Sequence, residues 1–295
     1  MPQNTDRDSL AFVRKTWSTL EPYHGAVYFS PEAAGLYAEF GVDARTGYFA
    51  SRSAALGAAP ADLVIATFYN FNPQVVRRAI PAAWEAATPQ QFAAARLTGI
   101  DTTLRRILGE DVSSPALARA AELARSAAEV TVRNPQGRPL FAAHAALPWP
   151  SAPHLVLWHA QTLLREFRGD GHVGALLTAG LSGIEALVTH AAAGDIGAGV
   201  LRDSRAWTPE QWEQAVQSLR QRGWLDGGPD LALTEDGARR RAAIEHTTDS
   251  LAALPYTTLG PAACAELRTL VRPFSLKVAK ELLPWAVERL SEESA

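Results

Sequence analysis

The chain of 295 residues has a single cysteine, Cys264, and a single methionine, Met1. One thiol excludes an internal disulfide framework and a cysteine-based zinc site, and it accords with a reducing compartment. Lysine is scarce as well. Only Lys15, Lys277 and Lys280 are lysines among the 28 basic residues, and with the abundant alanine this reads most simply as the mark of a GC-rich genome rather than as functional selection of arginine. No run of 18 or more residues is free of charged or strongly polar side chains, and the opening MPQNTDRD lacks the features of a signal peptide. No G-x-S-x-G elbow, Walker loop or G-x-G-x-x-G element occurs, which removes the strongest sequence grounds for a serine hydrolase, a P-loop NTPase or a Rossmann enzyme. The expectation is a soluble cytoplasmic protein without a membrane partner.

What is present is a composition that builds a core: 47% hydrophobic and 20% charged residues, with a formal net charge of -3 that exerts no global pull toward nucleic acid. Alanine-rich helical periods separated by proline and glycine breaks dominate, so the expected fold is mainly α, multi-helical, with one small β-hairpin. A first helix is expected to stop at Pro22. SPEAAGLYAEFG forms a short helix capped by Ser30, with Pro31 in the favoured first position and Gly41 closing it. The NFNP segment at 70–73 makes a turn, and the stretch 134–153, with five prolines, is a hinge or crossover.

The segment 153–194 places Arg165, Glu166, Arg168, Asp170 and His172 within a strongly apolar context. The RGDGH string at 168–172 reads as a junction between two helices. Its two glycines permit a tight turn, and Asp170 can cap the helix that follows. His172 then falls in that helix's first turn, where the dipole disfavours its protonation. A neutral imidazole beside a carboxylate and Arg165 or Arg168 can serve as a base or hold a polar ligand. Tyr69, Asn70 and Asn72, in FYNFNP, form a second polar cluster, read equally as a ligand wall or as a turn in which Asn70 and Asn72 bond their own backbone. No metal-ligand set is expected, since His154 and His159 do not share a helix face, and no cofactor is identified.

From Trp207 the chain reads as a capped helix (Thr208, Pro209, Gln211), an Arg222-Gly223 exit, a GGPD turn, and a return through Leu233, Thr234 and Gly237. This pattern resembles the last helix and wing of a MarR-type winged helix. The wing tip, Asp226 to Asp230, carries no base, and between Trp207 and Thr247 five arginines meet seven acidic residues, a net charge of -2. That is the wrong sign for tracking phosphates. A second helix-turn-helix candidate, His172 to His190, offers Gly183, Ile184, Glu185, Ala186 and Thr189 as readers, a set without arginine or asparagine.

Taken whole, the chain resembles a helix-turn-helix family best represented in actinobacteria. The matching blocks are GYFASRSAALG at 47–57, ATFYNFNPQVVRRAIPAAW at 66–84, the 157–194 segment and the winged-helix block. The resemblance implies one co-operating architecture and carries no mechanism. Residues 1–152 form an N-terminal helical part, 153–205 the central helices with the RGDGH junction, and 206–295 the winged-helix-like and C-terminal helices.

The leading functional expectation is a small-molecule-binding protein, a homodimer with a degenerate winged helix, whose small organic ligand meets Arg165, Arg168, Asp170, His172, Tyr69 and Asn70. The second is a cofactor-independent enzyme with His172 as general base and Asp170 orienting it. A ligand-responsive transcription regulator is third. Specific DNA is not the expected partner.

Overall fold

The computed structural model describes residues 7–194 and 196–292. The first stretch of helices is α1 (Arg7–Gly25), α2 (Pro31–Glu39), α3 (Ala44–Ser53), α4 (Ala61–Phe68), α5 (Pro73–Ala79), α6 (Ala82–Ala86), α7 (Pro89–Leu108) and α8 (Pro115–Thr131). After α9 (Pro139–Ala145) comes the long α10 (Pro153–Thr178), then α11 (Gly183–Ala192), α12 (Ala198–Ser204) and α13 (Pro209–Gln221). The chain finishes with α14 (Glu235–Leu251), α15 (Ala253–Leu259), α16 (Pro261–Leu282) and α17 (Val287–Glu292).

Helix starts follow from a recurring local chemistry. Ser30, Asn72, Thr88, Ser114 and Thr208 each accept a backbone N–H of the first turn, and each is followed by a proline whose missing N–H costs nothing there. Thr88, Ser182 and Thr208 add the reciprocal bond of a capping box, from Gln91, Glu185 and Gln211. Pro22, by contrast, does not stop the first helix, which runs on to Gly25. The turn beyond it is held in the core by the buried Tyr23 and His24, and Ser275 Oγ donates to the Thr19 carbonyl at 2.8 Å.

Three apolar clusters organise the body. The largest unites α1, α7, α8, α10, α15 and α16, so the two ends of the chain share one core. A second gathers α2 to α7 around Phe49, Phe68 and Phe92. The third joins the end of α10 to α11, α12, α13 and α14 around Val188, Leu219 and Trp224. Among the described residues no single helix is long and apolar enough to cross a membrane.

Two further sequence expectations are corrected here. The RGDGH string is no junction, because α10 continues through it for 26 residues. Its second glycine, Gly171, serves packing. A Cβ on Gly171 would lie 2.8 Å from Arg138 Nη1 and 3.2 Å from Leu251 Cβ. The Arg138 guanidinium stacks 3.7 Å from the Phe167 ring centroid and donates to the Phe167 and Leu251 carbonyls. That close approach offsets the cost of roughly 1 kcal/mol for a glycine inside a helix. The break falls at Gly180, whose φ of +66° ends α10, and α11 leaves at 94°.

The expected β-hairpin is reduced to a single antiparallel bridge, Leu225 with Leu233. Two bonds close it, Asp226 N to Ala232 O and Thr234 N to Trp224 O, each at 3.1 Å. Pro229 has no N–H to offer a ladder. Arg220 instead donates to the Asp226 and Gly228 carbonyls, so these oxygens are already occupied.

Candidate functional site

The expected site residues separate along α10 and beyond it. Asp170 and His172 are two residues apart, about 200° around a helix axis, and so face different neighbours. Asp170 Oδ2 accepts the Phe141 amide at 2.9 Å, capping α9 rather than its own helix. Burial raises its carboxyl to about 6. His172 Nδ1 pairs with Thr248 Oγ1 of α14 at 2.8 Å. Its pKa falls to about 4, with burial as the main cause and not a helix N-terminus. Asp170 therefore does not orient His172.

Arg168 lies 4.4 Å from the Trp17 ring centroid and approaches Asp249 at 3.2 Å and Glu245 at 3.6 Å. Tyr69 and Asn70 sit elsewhere, against the start of α11. The Tyr69 hydroxyl donates to the Leu181 carbonyl, the Asn70 carbonyl accepts Trp207 Nε1 at 2.9 Å, and a Cβ on Gly183 would lie 2.0 Å from the Tyr69 carbonyl oxygen. Only glycine fits beneath that backbone. Asn72 behaves as the self-bonded turn reading expects, accepting Gln74 N at 3.0 Å.

Two of the six belong to larger charged clusters: Arg168 shares Asp249 and Glu245 with Arg14, and Arg165 joins a more buried group. The buried Glu166 beside it accepts Arg52 Nε at 3.2 Å and Nη2 at 3.0 Å, while its Oε1 also takes Arg165 Nη1 at 3.1 Å. Arg165 Nε reaches Glu21 at 3.0 Å, and Arg52 Nη1 donates to the Tyr48 hydroxyl at 3.0 Å. Tyr48 packs edge-on against Tyr28, whose hydroxyl pairs with His24 Nε2 at 2.9 Å. Arg96 Cζ lies 5.2 Å from the Tyr28 centroid and 5.3 Å from that of Trp158. Arg205 completes the group over Phe71, at 4.8 Å.

Arg52, Arg96, His24 and Glu166 are buried, whereas Tyr28, Tyr48, Phe71, Arg165 and Arg205 are half-buried and connect the cluster to solvent. A cavity of about 10 Å3, room for one water, lies against Glu21, His24, Gln161 and Arg165. Burial pushes the Glu166 carboxyl up, but Arg52 and Arg165 outweigh it and hold the group well below the usual carboxylate range. Burial also holds His24 neutral, reinforced by Arg165 and Arg96. An effective penalty of roughly several kcal/mol attends each buried ion, so such a cluster is kept only where partners or a ligand compensate it.

Sequence reading missed Arg52, Glu166, Arg96, Tyr28, Tyr48 and Arg205 as a set. Tyr48 and Arg52 stand in the 47–57 block, but the partners lie in the turn after α1, on α7, on α10 and in the loop after α12, and no local spacing joins them.

The third cluster provides the other candidate surface. Within α11 Gly183, Glu185 and Thr189 are buried, so they are turned away from solvent. The exposed face of α13 presents Glu210, Glu213, Gln214, Gln217 and Gln221. Arg222 is engaged with Glu185 at 2.8 Å and the Gly180 carbonyl at 2.7 Å, and Arg220 closes the bridged turn as described. An open hollow of about 320 Å3 separates α11 from Trp207 and α13. Its Ser182, Glu185 and Gln211 already bond one another or the Asn72 amide.

Comparison with protein families matches residues 13–284, nearly the full length. The chain belongs to the helix-turn-helix family. Comparison with curated proteins and with solved structures returned no match. Membership of the helix-turn-helix family spans all three apolar clusters, and so includes both the charged cluster and the α11–α13 unit. Among the described residues no group of three or more His, Cys, Asp or Glu side chains is arranged to hold a metal.

Proposed function

We propose that this helix-turn-helix family member is a small-molecule-binding protein, with its site at the cluster of Arg52, Glu166, Arg165, Tyr28, Tyr48, Arg96 and Arg205. One observation carries the reading: the interior holds a set of charged side chains, walled by aromatic rings, that do not satisfy one another. Arg96 Nε and Nη2, Arg205 Nε and Glu21 Oε2 are buried without hydrogen-bond partners. Unsatisfied groups of this kind are few in folded proteins and ask for a ligand or ordered water. Of the six expected site residues Arg165 stays in the proposed site, and the other five have structural partners.

In this reading the α11–α13 unit and its bridged turn are a degenerate winged helix that acts as a scaffold. Its acidic and amide-bearing α13 face, and the internal use of Arg220 and Arg222, leave no basic stripe for phosphates. The charged cluster nonetheless touches this unit. Arg205 and Ala206 precede α13 and accept the Asn72 amide groups through their carbonyls, at 3.0 and 2.9 Å.

The test pairs a thermal-unfolding screen against a metabolite library with electrophoretic mobility assays on the protein's own upstream DNA. The expected result is a saturable rise in Tm with a small molecule, weakened by Arg165→Gln, and no sequence-dependent DNA shift at physiological salt. A nanomolar, sequence-specific shift would establish the regulator reading instead.

A further inference from the structure

The proposed site is unbalanced in charge, and the imbalance narrows its ligand. Four guanidinium groups, of Arg52, Arg96, Arg165 and Arg205, share the cluster with two carboxylates, Glu166 and Glu21. Arg52 and Arg165 pair with both carboxylates, Glu166 through both oxygens and Glu21 through Oε1 alone. Arg96 has neither. It is 4% exposed, and its guanidinium lies among Tyr28, Trp158, Tyr37 and His24 with no ion-pair partner among the described residues.

Two nitrogens of Arg96, Nε and Nη2, are fully buried without a partner, and together they make the side-on edge of the guanidinium. That edge presents two parallel N–H groups, the fork that matches the two oxygens of a carboxylate or phosphate. The adjoining rings stack on the guanidinium and supply no acceptor of that geometry. The neighbouring field agrees: burial raises the Tyr48 hydroxyl, yet Arg52, Arg205 and Arg165 outweigh burial and lower it, as expected where positive charge is in excess.

We infer that the ligand of the proposed site carries an oxyanion, a carboxylate or a phosphate, and that Arg96 receives it through its Nε–Nη2 edge. The inference rests on the small-molecule reading and adds its charge. The half-buried Tyr28 then lines the approach of the ligand next to the anionic group. Arg165, over the same Tyr28 ring at 5.4 Å, adds a second positive charge.

The experiment is a thermal-unfolding titration with three probes, sodium benzoate, inorganic phosphate and the neutral benzamide, at ionic strength held constant with sodium chloride. Wild-type Tm should rise saturably by at least about 2 °C with benzoate or with phosphate, and not with benzamide. Benzoate alone identifies a carboxylate site, and phosphate alone a phosphate site. Arg96→Met should abolish the rise, whereas Arg96→Lys, which keeps the charge and loses the fork, should weaken the apparent affinity at least about tenfold. General salt stabilisation is subtracted through Arg96→Met, since excluded-ion effects do not depend on one side chain.

Arg96→Met removes an uncompensated buried charge, so its Tm without added anion should be no lower than wild type. If that variant fails to fold, the Arg96→Lys comparison decides. An equal rise with benzamide, an anion response that survives Arg96→Met or is undiminished in Arg96→Lys, or no response to either anion overturns the inference. A library compound that is neutral and saturable would at the same time leave the small-molecule reading standing.

Discussion

Asp170 of α10 accepts the amide of Phe141, 29 residues earlier in the chain, at 2.9 Å, and so caps a helix to which it does not belong. Burial raises this carboxyl from the ordinary 3.8 to about 6. A carboxyl raised on folding contributes stability that is full below pH 3.8 and is lost as pH rises through about 6. The ionised form therefore costs roughly 3 kcal/mol at neutral pH. Asp170→Asn, which keeps an acceptor and sheds the charge, should match or exceed wild-type stability at pH 8. Asp170→Ala, which removes the cap, should fall below Asp170→Asn by about 1 kcal/mol in urea unfolding.

Glu166 is the one carboxylate shared by Arg52 and Arg165. Glu166→Ala should lower stability by about 3–5 kcal/mol, because two buried guanidinium groups lose their partner. The double variant Arg52→Met with Glu166→Leu should recover much of that loss. A double variant as unstable as the sum of its singles would show that packing, and not charge pairing, fixes this position. Because the Glu166 carboxyl is held low, its contribution is full above pH 4.5 and fades as the solution is acidified below that.

His144, His159 and His172 all have imidazoles lowered to about 4 by burial. A histidine lowered on folding contributes stability that is full above pH 6.5 and is lost as pH falls toward about 4. Urea midpoints should therefore drop steadily between pH 6.5 and 4, and the slope should flatten in His144→Gln or His172→Gln. Asp170 acts with the opposite sign in part of this window, so Asp170→Asn should steepen the slope. NMR titration of the His172 ring provides the direct check: a pKa near 6.5 would mean that the Thr248 contact does not shelter it.

Local elements were legible in the chain because their causes are local. Ser30-Pro31 and Thr208-Pro209-Gln211 each encode a helix start within four residues, and both form as read. The mainly helical class follows from the periodicity, and the helix-turn-helix family from blocks of contiguous residues. The RGDGH string misleads because a glycine has two uses, as a hinge and as a gap. Only the distant Arg138 and Leu251 select the second at Gly171. The GGPD turn misleads for a similar reason, since Arg220 closes it through carbonyls that a strand would need.

The sequence by itself determined the helical class, the Ser-Pro and Thr-Pro helix starts, the scarcity of sulfur and the acidic and amide character of α13. Those depend on neighbours within a turn or two, or on composition. Tertiary structure alone decided which polar residues meet. Arg52 and Glu166 are 114 positions apart and share no motif, yet they pair because α3 and α10 bring them to one buried place. Whether Arg96 is a surface arginine or a buried cation with a free fork is likewise decided by the packing of Tyr28 and Trp158 around it. Pairing of charges is a long-range outcome of packing, and it is this pairing, incomplete at Arg96, that locates the proposed site.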